Sequence, residues 1–332
     1  MKLRVELGEN SYDINIEHGI IKSAQNYFNL NRKVLVVTDD GVPQVYAKTV
    51  CDLCKTPVLA VFPQGEQSKN IDTIQMLCKL MLENGFSRKD AVVAVGGGVA
   101  GDMAGFAAAI YMRGIDFYNI PTTMLSMVDS SVGGKTAIDF CGIKNILGAF
   151  HQPKGVLIDP DVLKTLDNRQ FACGCAEAIK MSATCKEELF RFIEENGIKG
   201  NEEKVIFESL KIKADVISKD EKESSLRKVL NFGHTLGHGI ESTTGLLHGE
   251  CVALGMLPMT NKNVRNRLKA VLSAHGLPTT VKADRDAVIS ASMHDKKAKD
   301  GGVDTVLVDE IGSFRFEFAD IKTLTDKYGE EF

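Results

Sequence analysis

Three short apolar runs constrain this chain most: VLVVTD (Val34 to Asp39), PVLAVF (Pro57 to Phe62) and AVVAVGGG (Ala91 to Gly98). Each is rich in β-branched residues, and none alternates with polar ones. A strand that is apolar on both sides needs cover on both faces, which a parallel sheet flanked by helices supplies. The stretch from Asp72 to Asn84 suits such a helix, with Ile74, Leu77, Cys78, Met81 and Leu82 on one face. Alternating strands and helices predict an α/β domain built on a parallel sheet. Tyr12 to Ile16 alternates apolar with polar and reads as an edge strand.

From about Asp161 the pattern turns mainly helical. Long amphipathic stretches run over Ala176 to Glu195, Glu202 to Lys219, Asn231 to Thr243 and Glu250 to Ala274. Gly197, Gly200, Gly245, Gly276 and Pro278 punctuate them. DTVLV (Asp304 to Val308) and FRFEF (Phe314 to Phe318) predict a terminal hairpin. A chain of 332 residues has room for two domains, and the change of pattern divides it into 1–155 and 156–332.

A net charge of −4 gives no general field for nucleic acid or an anionic membrane. No apolar run reaches the roughly 20 residues a membrane helix needs. The start, MKLRVELGENSYD, lacks the apolar segment of a secretory signal, so a cytoplasmic location is expected. The eight cysteines are scattered, as reduced thiols would be.

Gly96 to Asp102 reads GGGVAGD, after a strand and before the helical Met103 to Tyr111. Glycines here let backbone N–H groups approach a phosphate at a helix N-terminus. The alternative is a tight structural turn. GGKT (Gly133 to Thr136) looks like the tail of an ATPase phosphate loop, but the glycine such a loop needs is replaced by Asp129. Lys135 still suits an anion. His234 and His238 lie four apart in NFGHTLGHGIE, on one helical face. With His248 and Glu177 they make a donor set for a catalytic zinc. The spacing equally admits two hydrogen-bonded histidines. Cys51 and Cys54 form a CxxC with no second pair, and Cys173 and Cys175 are likewise alone. Arg113, Lys144, Asn145, Lys180, Lys213, Arg227, Lys296 and Lys297 together suit a substrate with phosphate and carboxylate groups.

Read in order, the motifs GEQSK, GGGVAGDMAGF, YMRG, PTTMLSMVDSSVGGKT, KNILGAFHQP, AEAIK, LNFGHTLGH, LHGE and DKK cover Glu66 to about Gly312. On these the chain resembles the 3-dehydroquinate synthase family of sugar-phosphate cyclases. The resemblance implies a Rossmann-like parallel-sheet domain binding NAD, and a mainly α-helical C-terminal domain binding metal and substrate. It implies conversion of 3-deoxy-D-arabino-heptulosonate 7-phosphate to 3-dehydroquinate and phosphate, in the shikimate route to aromatic amino acids. The implied steps are transient oxidation by NAD, phosphate elimination, re-reduction and intramolecular aldol closure.

The metal ligands implied are Glu177, His234 and His248, for zinc or cobalt. His238 becomes a substrate and proton-transfer residue instead. NAD contacts are implied for Asp39, Glu66, Lys69, Gly98, Val99, Ala100, Gly101, Asp102, Thr122, Thr123, Lys135, Lys144 and Thr165. Asp129, Lys135 and Asn145 are implied where NAD meets substrate. Lys180, Lys213, Arg227, Asn231 and Lys296 would read the substrate, and Arg113 would reach its phosphate from the neighbouring subunit of a homodimer. Two departures stand out. The His234–His248 segment is short, so a tight turn must bring His248 in. Asp139, Phe140 and Cys141 replace the Asn, His and Pro usual in relatives, with the Lys135–Lys144 spacing kept.

Overall fold

The structure is a computed structural model, and it describes residues 1–294 and 302–332. It divides into two compact units, Met1–Leu166 and Asp167–Phe332. The division lies beyond the residue-155 boundary expected from the sequence. The segment after residue 155 goes with the first unit because Gly155–Ile158 is a strand of its main sheet.

The strands of the first unit are β1 (Lys2–Val5), β2 (Tyr12–Ile16), β3 (Lys33–Asp39), β4 (Thr56–Phe62), β5 (Ala91–Gly96), β6 (Asp116–Pro121), β7 (Lys135–Phe140), β8 (Ile143–Phe150) and β9 (Gly155–Ile158). Its α-helices are α1 (Gln44–Leu53), α2 (Ile71–Glu83) and α3 (Gly98–Ile110). Seven strands form one sheet in the order β1-β2-β9-β6-β5-β3-β4. Only the β1–β2 pairing is antiparallel; the other neighbours run parallel.

The missing alternation in β3 and β5 is explained by the two cores. Leu35, Val37, Val92 and Ala94 pack on one face with α2 and α3. Val34, Val36, Ala91, Val93 and Val95 pack on the other with Ala47 and Val50 of α1. Two expectations need correction. Tyr12–Ile16 is not at the edge: β1 takes that place, and β2 pairs with both β1 and β9. β4, expected to be covered on both faces, is itself an edge. Ala60 and Phe62 are buried, while Leu59 and Val61 are each 48% exposed.

β7 and β8 form a separate antiparallel hairpin. Its tip, Cys141–Gly142, joins the paired Phe140 and Ile143 with φ of +51° and +78°. Positive φ at both central residues is the type I′ pattern, which matches the twist of the strands it connects.

The second unit contains α4 (Asn168–Cys185), α5 (Glu187–Asn196), α6 (Glu202–Lys219), α7 (His234–Thr243), α8 (His248–Met256), α9 (Lys262–Ala274), α10 (Arg285–His294), the antiparallel hairpin β10 (Gly302–Leu307) and β11 (Arg315–Asp320), and α11 (Ile321–Gly329). The terminal hairpin lies where the sequence predicts it. Two long stretches are each two helices. Lys186, with extended φ and ψ, breaks α4 from α5. A 3₁₀ turn carrying Pro258 separates α8 from α9, because proline ends the hydrogen-bond ladder. Asn231 lies before α7, in the 3₁₀ turn Leu226–Asn231.

Candidate active site

Several candidate residues of the first unit lie at the carboxyl ends of neighbouring strands. β3 leads to edge strand β4 on one side, whereas β5 leads to β6 on the other. In open α/β sheets ligands settle at the carboxyl ends of strands where the connections diverge. Asp39 ends β3 and Gly96 ends β5, side by side. A Cβ on Gly96 would lie 3.6 Å from Asp39 Oδ2. Asp39 is buried, which raises its carboxyl pKa, and it accepts the Gly41 N–H at 3.0 Å. Gly97, with no side chain to cap it, opens α3, whose first residues are Gly98, Val99, Ala100, Gly101 and Asp102. A Cβ on Gly98 would meet Ser130 Oγ at 3.2 Å, so glycine keeps this turn open. Gly101 serves packing too, facing Asn119.

Lys69 lies almost fully buried beside this helix. Its ammonium sits 2.6 Å from Asp102 Oδ2 and 3.5 Å from Glu66, and it donates to Asn145 Oδ1. Burial lowers the Lys69 pKa, but Asp102 and Glu66 outweigh that and move it up. Burial pushes Asp102 up to about 6 against the pull of Lys69. Asp139, one of the unusual residues, accepts the Asn145 backbone N–H at 2.8 Å and donates its own to Lys69 O at 2.8 Å. It therefore ties the hairpin strand β8 to Lys69, and Asn145 is held at φ +53°.

The remaining expected residues of this unit are spread around it. The Thr122 N–H donates to Gly96 O at 2.9 Å. Thr123 Oγ1 lies 2.8 Å from Ser126 Oγ, at the start of the π-helical turn Ser126–Ser130 that carries Asp129. Thr165 is exposed and hydrogen-bonded to Tyr46 at 3.0 Å. Lys135 and Lys144 are exposed on the hairpin. Arg113 is exposed after α3, with φ +69° following Met112 at +49°.

In the second unit, glycines bring the histidines together. A Cβ on Gly255 of α8 would lie 2.6 Å from Gly237 N of α7, and one on Gly237 would lie 3.0 Å from Cys251 O. A Cβ on Gly249 would strike the backbone of Cys173 on α4. Helices α4, α7 and α8 thus pack with backbones in contact. Glu250 folds back to accept the Leu247 N–H at 2.8 Å, and Arg169 of α4 grips it at 2.7 and 2.8 Å. This clamp sets His248 at the first turn of α8. The short link from α7 suffices: the His234 and His248 rings are 5.3 Å apart.

The donor atoms of Glu177, His234 and His248 lie within 4.8 Å of one another. Glu177 Oε1 is 3.8 Å from His234 Nε2 and 3.8 Å from His248 Nε2. Two ligands about 2.1 Å from one tetrahedral ion lie about 3.4 Å apart, so this spacing suits a shared metal. His234 Nδ1 faces Phe232 O at 3.2 Å, and His248 Nδ1 faces Glu241 Oε2 at 2.9 Å. Both rings therefore turn Nε2 toward Glu177. Glu177 is 1% exposed, and neither of its oxygens accepts a hydrogen bond of ordinary geometry. Its partner in charge is Lys180, one turn along α4 and equally buried. A buried carboxylate flanked by an ammonium and two imidazoles fits a cation ligand. Burial, together with the Lys180 charge, drives the His234 pKa well below its ordinary value, so the ring is neutral as a ligand must be.

Lys213 and Arg227 are also buried, on elements packed against α4. The Asp220 carboxylate, held well below its usual range, accepts N–H groups from Ser224, Ser225 and Arg227 and shapes that turn. Asn231 Nδ2 donates to Glu223 Oε1 at 2.7 Å. The His238 ring is 5.2 Å from that of His234. Lys296 and Lys297 lie outside the described residues. Two neighbours of the site were not foreseen, Glu223 and Glu241. Glu241 had a signal: seven after His234 and three after His238, it continues their helical face.

Models of the N- and C-terminal regions of 3-dehydroquinate synthase match residues 59–173 and 174–298. A 3-dehydroquinate synthase of Nostoc punctiforme is 42% identical over 343 residues, covering 93% of each chain. One of Streptococcus thermophilus is 38% identical, covering 94% of this chain and 95% of its own. The chain belongs to the 3-dehydroquinate synthase family.

Solved structures agree on the fold. The 2-epi-5-epi-valiolone synthase ValA of Streptomyces hygroscopicus, with NAD+ and Zn2+ bound, has a TM-score of 0.88 at 26% identity, covering 98% of each chain. A 2-deoxy-scyllo-inosose synthase complexed with carbaglucose-6-phosphate, NAD+ and Co2+ reaches 0.90 at 23% identity over 100% of each chain. The Rossmann-like sheet unit and the largely helical unit are therefore the fold of this family. No helix among the described residues is long and apolar enough to cross a membrane.

Proposed function

We propose that the protein is an NAD- and metal-dependent 3-dehydroquinate synthase. Its reaction converts 3-deoxy-D-arabino-heptulosonate 7-phosphate to 3-dehydroquinate and phosphate in the shikimate route. The observation that carries this reading is the buried Glu177 with His234 and His248, on helices that also present or adjoin Lys180, Lys213 and Arg227. A metal-ligand cluster with buried cations on the same and adjoining elements suits a polyhydroxy acid phosphate. A simple alcohol would not need those charges. Curated relatives at 38–42% identity carry the same activity in their names, and the NAD+ and Zn2+ of ValA support the cofactor pair.

Met1–Leu166 is the dinucleotide-binding half. Asp39, Glu66, Lys69, Gly98 to Asp102, Thr122, Thr123, Lys144 and Thr165 face NAD, with Asp129, Lys135 and Asn145 where it meets substrate. Asp167–Phe332 is the half for metal and substrate, with Glu177, His234 and His248 as ligands to zinc or cobalt. When bound, NAD takes up and returns a hydride, and the metal acts as a Lewis acid toward substrate hydroxyls. The chain's own work is placement. Lys180, Lys213, Arg227, Asn231 and Lys296 hold the carboxylate, hydroxyls and phosphate by charge-assisted hydrogen bonds. His238 moves a proton within the site. Around the substrate these groups supply cations and donors, which position and polarise it. The substrate's phosphate then takes the proton as it leaves.

Arg113 completes the phosphate site of a partner in a cytoplasmic homodimer. Consecutive left-handed residues at Met112 and Arg113 cost about 1–3 kcal/mol each, a strain kept where a side chain must be aimed. The test is a substrate panel with NAD and zinc. The heptulosonate phosphate should turn over, and a hexose phosphate lacking the carboxylate should react at least about 100-fold more slowly, since buried cations would stay unpaired. Preference for the hexose phosphate would make this a sister cyclase.

A further inference from the structure

We infer that Glu241 is a positioning residue of the metal centre: it orients His248 through Nδ1 so that Nε2 is presented to the ion. The inference rests on the proposed ligand set Glu177, His234 and His248. His248 needs an external brace. It is the first residue of α8, and its side chain remains 37% exposed, so packing covers the ring only in part. The brace comes from α7: Glu241 Oε2 lies 2.9 Å from His248 Nδ1. That hydrogen bond places the proton on Nδ1 and leaves the Nε2 lone pair facing Glu177.

The two histidines are held differently. His234 Nδ1 has the backbone carbonyl of Phe232, from its own chain segment, at 3.2 Å. The His248 acceptor is a carboxylate. A carboxylate behind a ligand imidazole fixes its tautomer and raises its basicity. Glu241 sits on the helix that begins at His234, so one element supplies a ligand and the brace for another ligand. The close glycine packing of α7 on α8 keeps the two in reach.

Glu241, His238 and His248 also lie close enough together to form a donor group of their own. The test therefore separates brace from ligand. Zinc affinity is measured by competition with a chromophoric chelator, alongside the visible spectrum of the Co2+-loaded protein. The proteins are the wild type, Glu177→Ala, Glu241→Ala and Glu241→Gln, each also melted without metal. Glu177→Ala should lose specific binding; if it does not, the ligand set itself is wrong. With that loss established, Glu241→Ala should bind zinc about 10–100-fold more weakly, with an altered Co2+ spectrum. Glu241→Gln, which still accepts a hydrogen bond, should fall between. The metal-free melting points should stay within about 2 °C of the wild type. Wild-type affinity in Glu241→Ala would overturn the inference. So would loss of metal in Glu241→Ala with retention in Glu177→Ala, which would make Glu241 a ligand. If Glu241→Ala does not fold, the same reading falls to Glu241→Gln, where unchanged affinity and spectrum would overturn it.

Discussion

Three histidine rings stand within 5.9 Å of one another, yet they are proposed for two different tasks. His234 and His248 each present Nε2 to Glu177 at 3.8 Å, whereas the proposal gives His238 a proton-transfer role. Replacing His248 by Ala should remove metal and activity together. His238→Ala should keep its metal and lose turnover by about 10²–10⁴-fold, the usual weight of a proton-transfer group. Metal analysis of the purified variants, set beside their rates, checks this; metal lost from His238→Ala but kept in His248→Ala would reverse the roles. Spacing along the chain could show that His234 and His238 share a face. It could not show which way each ring turns, because that depends on acceptors from elsewhere: Phe232 O and Glu241. The separation of ligand from proton carrier came from the family resemblance rather than from periodicity.

The elements of the first unit were legible because strand burial leaves a direct trace in composition, as β3 and β5 show. The helices of the second unit were legible in extent but not in packing. Gly245 was read as punctuation, and it indeed has open space around it. Gly233, Gly237, Gly249 and Gly255 do different work, letting α4, α7 and α8 meet backbone to backbone, and nothing local in the sequence distinguishes the two kinds. The contrast is measurable. Gly255→Ala should cost about 3 kcal/mol by overpacking, while Gly245→Ala should stay within about 0.5 kcal/mol. Denaturant melts of the two variants check the difference.

The turn that carries Arg227 is held by the Asp220 carboxylate. Burial would raise the Asp220 pKa, but backbone N–H groups of Arg227, Ser224 and Ser225 outweigh it and depress the value below 3.8. A depressed carboxylate stabilises the fold above its unfolded pKa, and that contribution is lost as pH falls through the folded value. Asp220→Asn should therefore be less stable than wild type at neutral pH, by roughly 2–3 kcal/mol. The gap should narrow below about pH 4. Melts from pH 7 to 3 would show it; a gap that is constant with pH would remove the charge from the explanation.

At the scale of the whole molecule, the proposed homodimer sets Arg113, with its left-handed backbone, at the partner's phosphate site. Arg113→Ala and Lys135→Ala should each be inactive as homodimers. Mixed dimers contain one site with its own Lys135 and a borrowed Arg113. Random exchange makes about half the dimers mixed, so recovery should approach roughly a quarter of wild-type activity. Mixed dimers that form without recovery would place Arg113 elsewhere.

The proposed synthase activity is a redox-neutral elimination and ring closure. It is tested most directly by incubating the NAD- and zinc-loaded protein with 3-deoxy-D-arabino-heptulosonate 7-phosphate while following phosphate, 3-dehydroquinate and NADH together. Phosphate and 3-dehydroquinate should appear in equal amounts with no steady rise in NADH. NADH accumulating in step with substrate loss would contradict the account and make the protein a dehydrogenase.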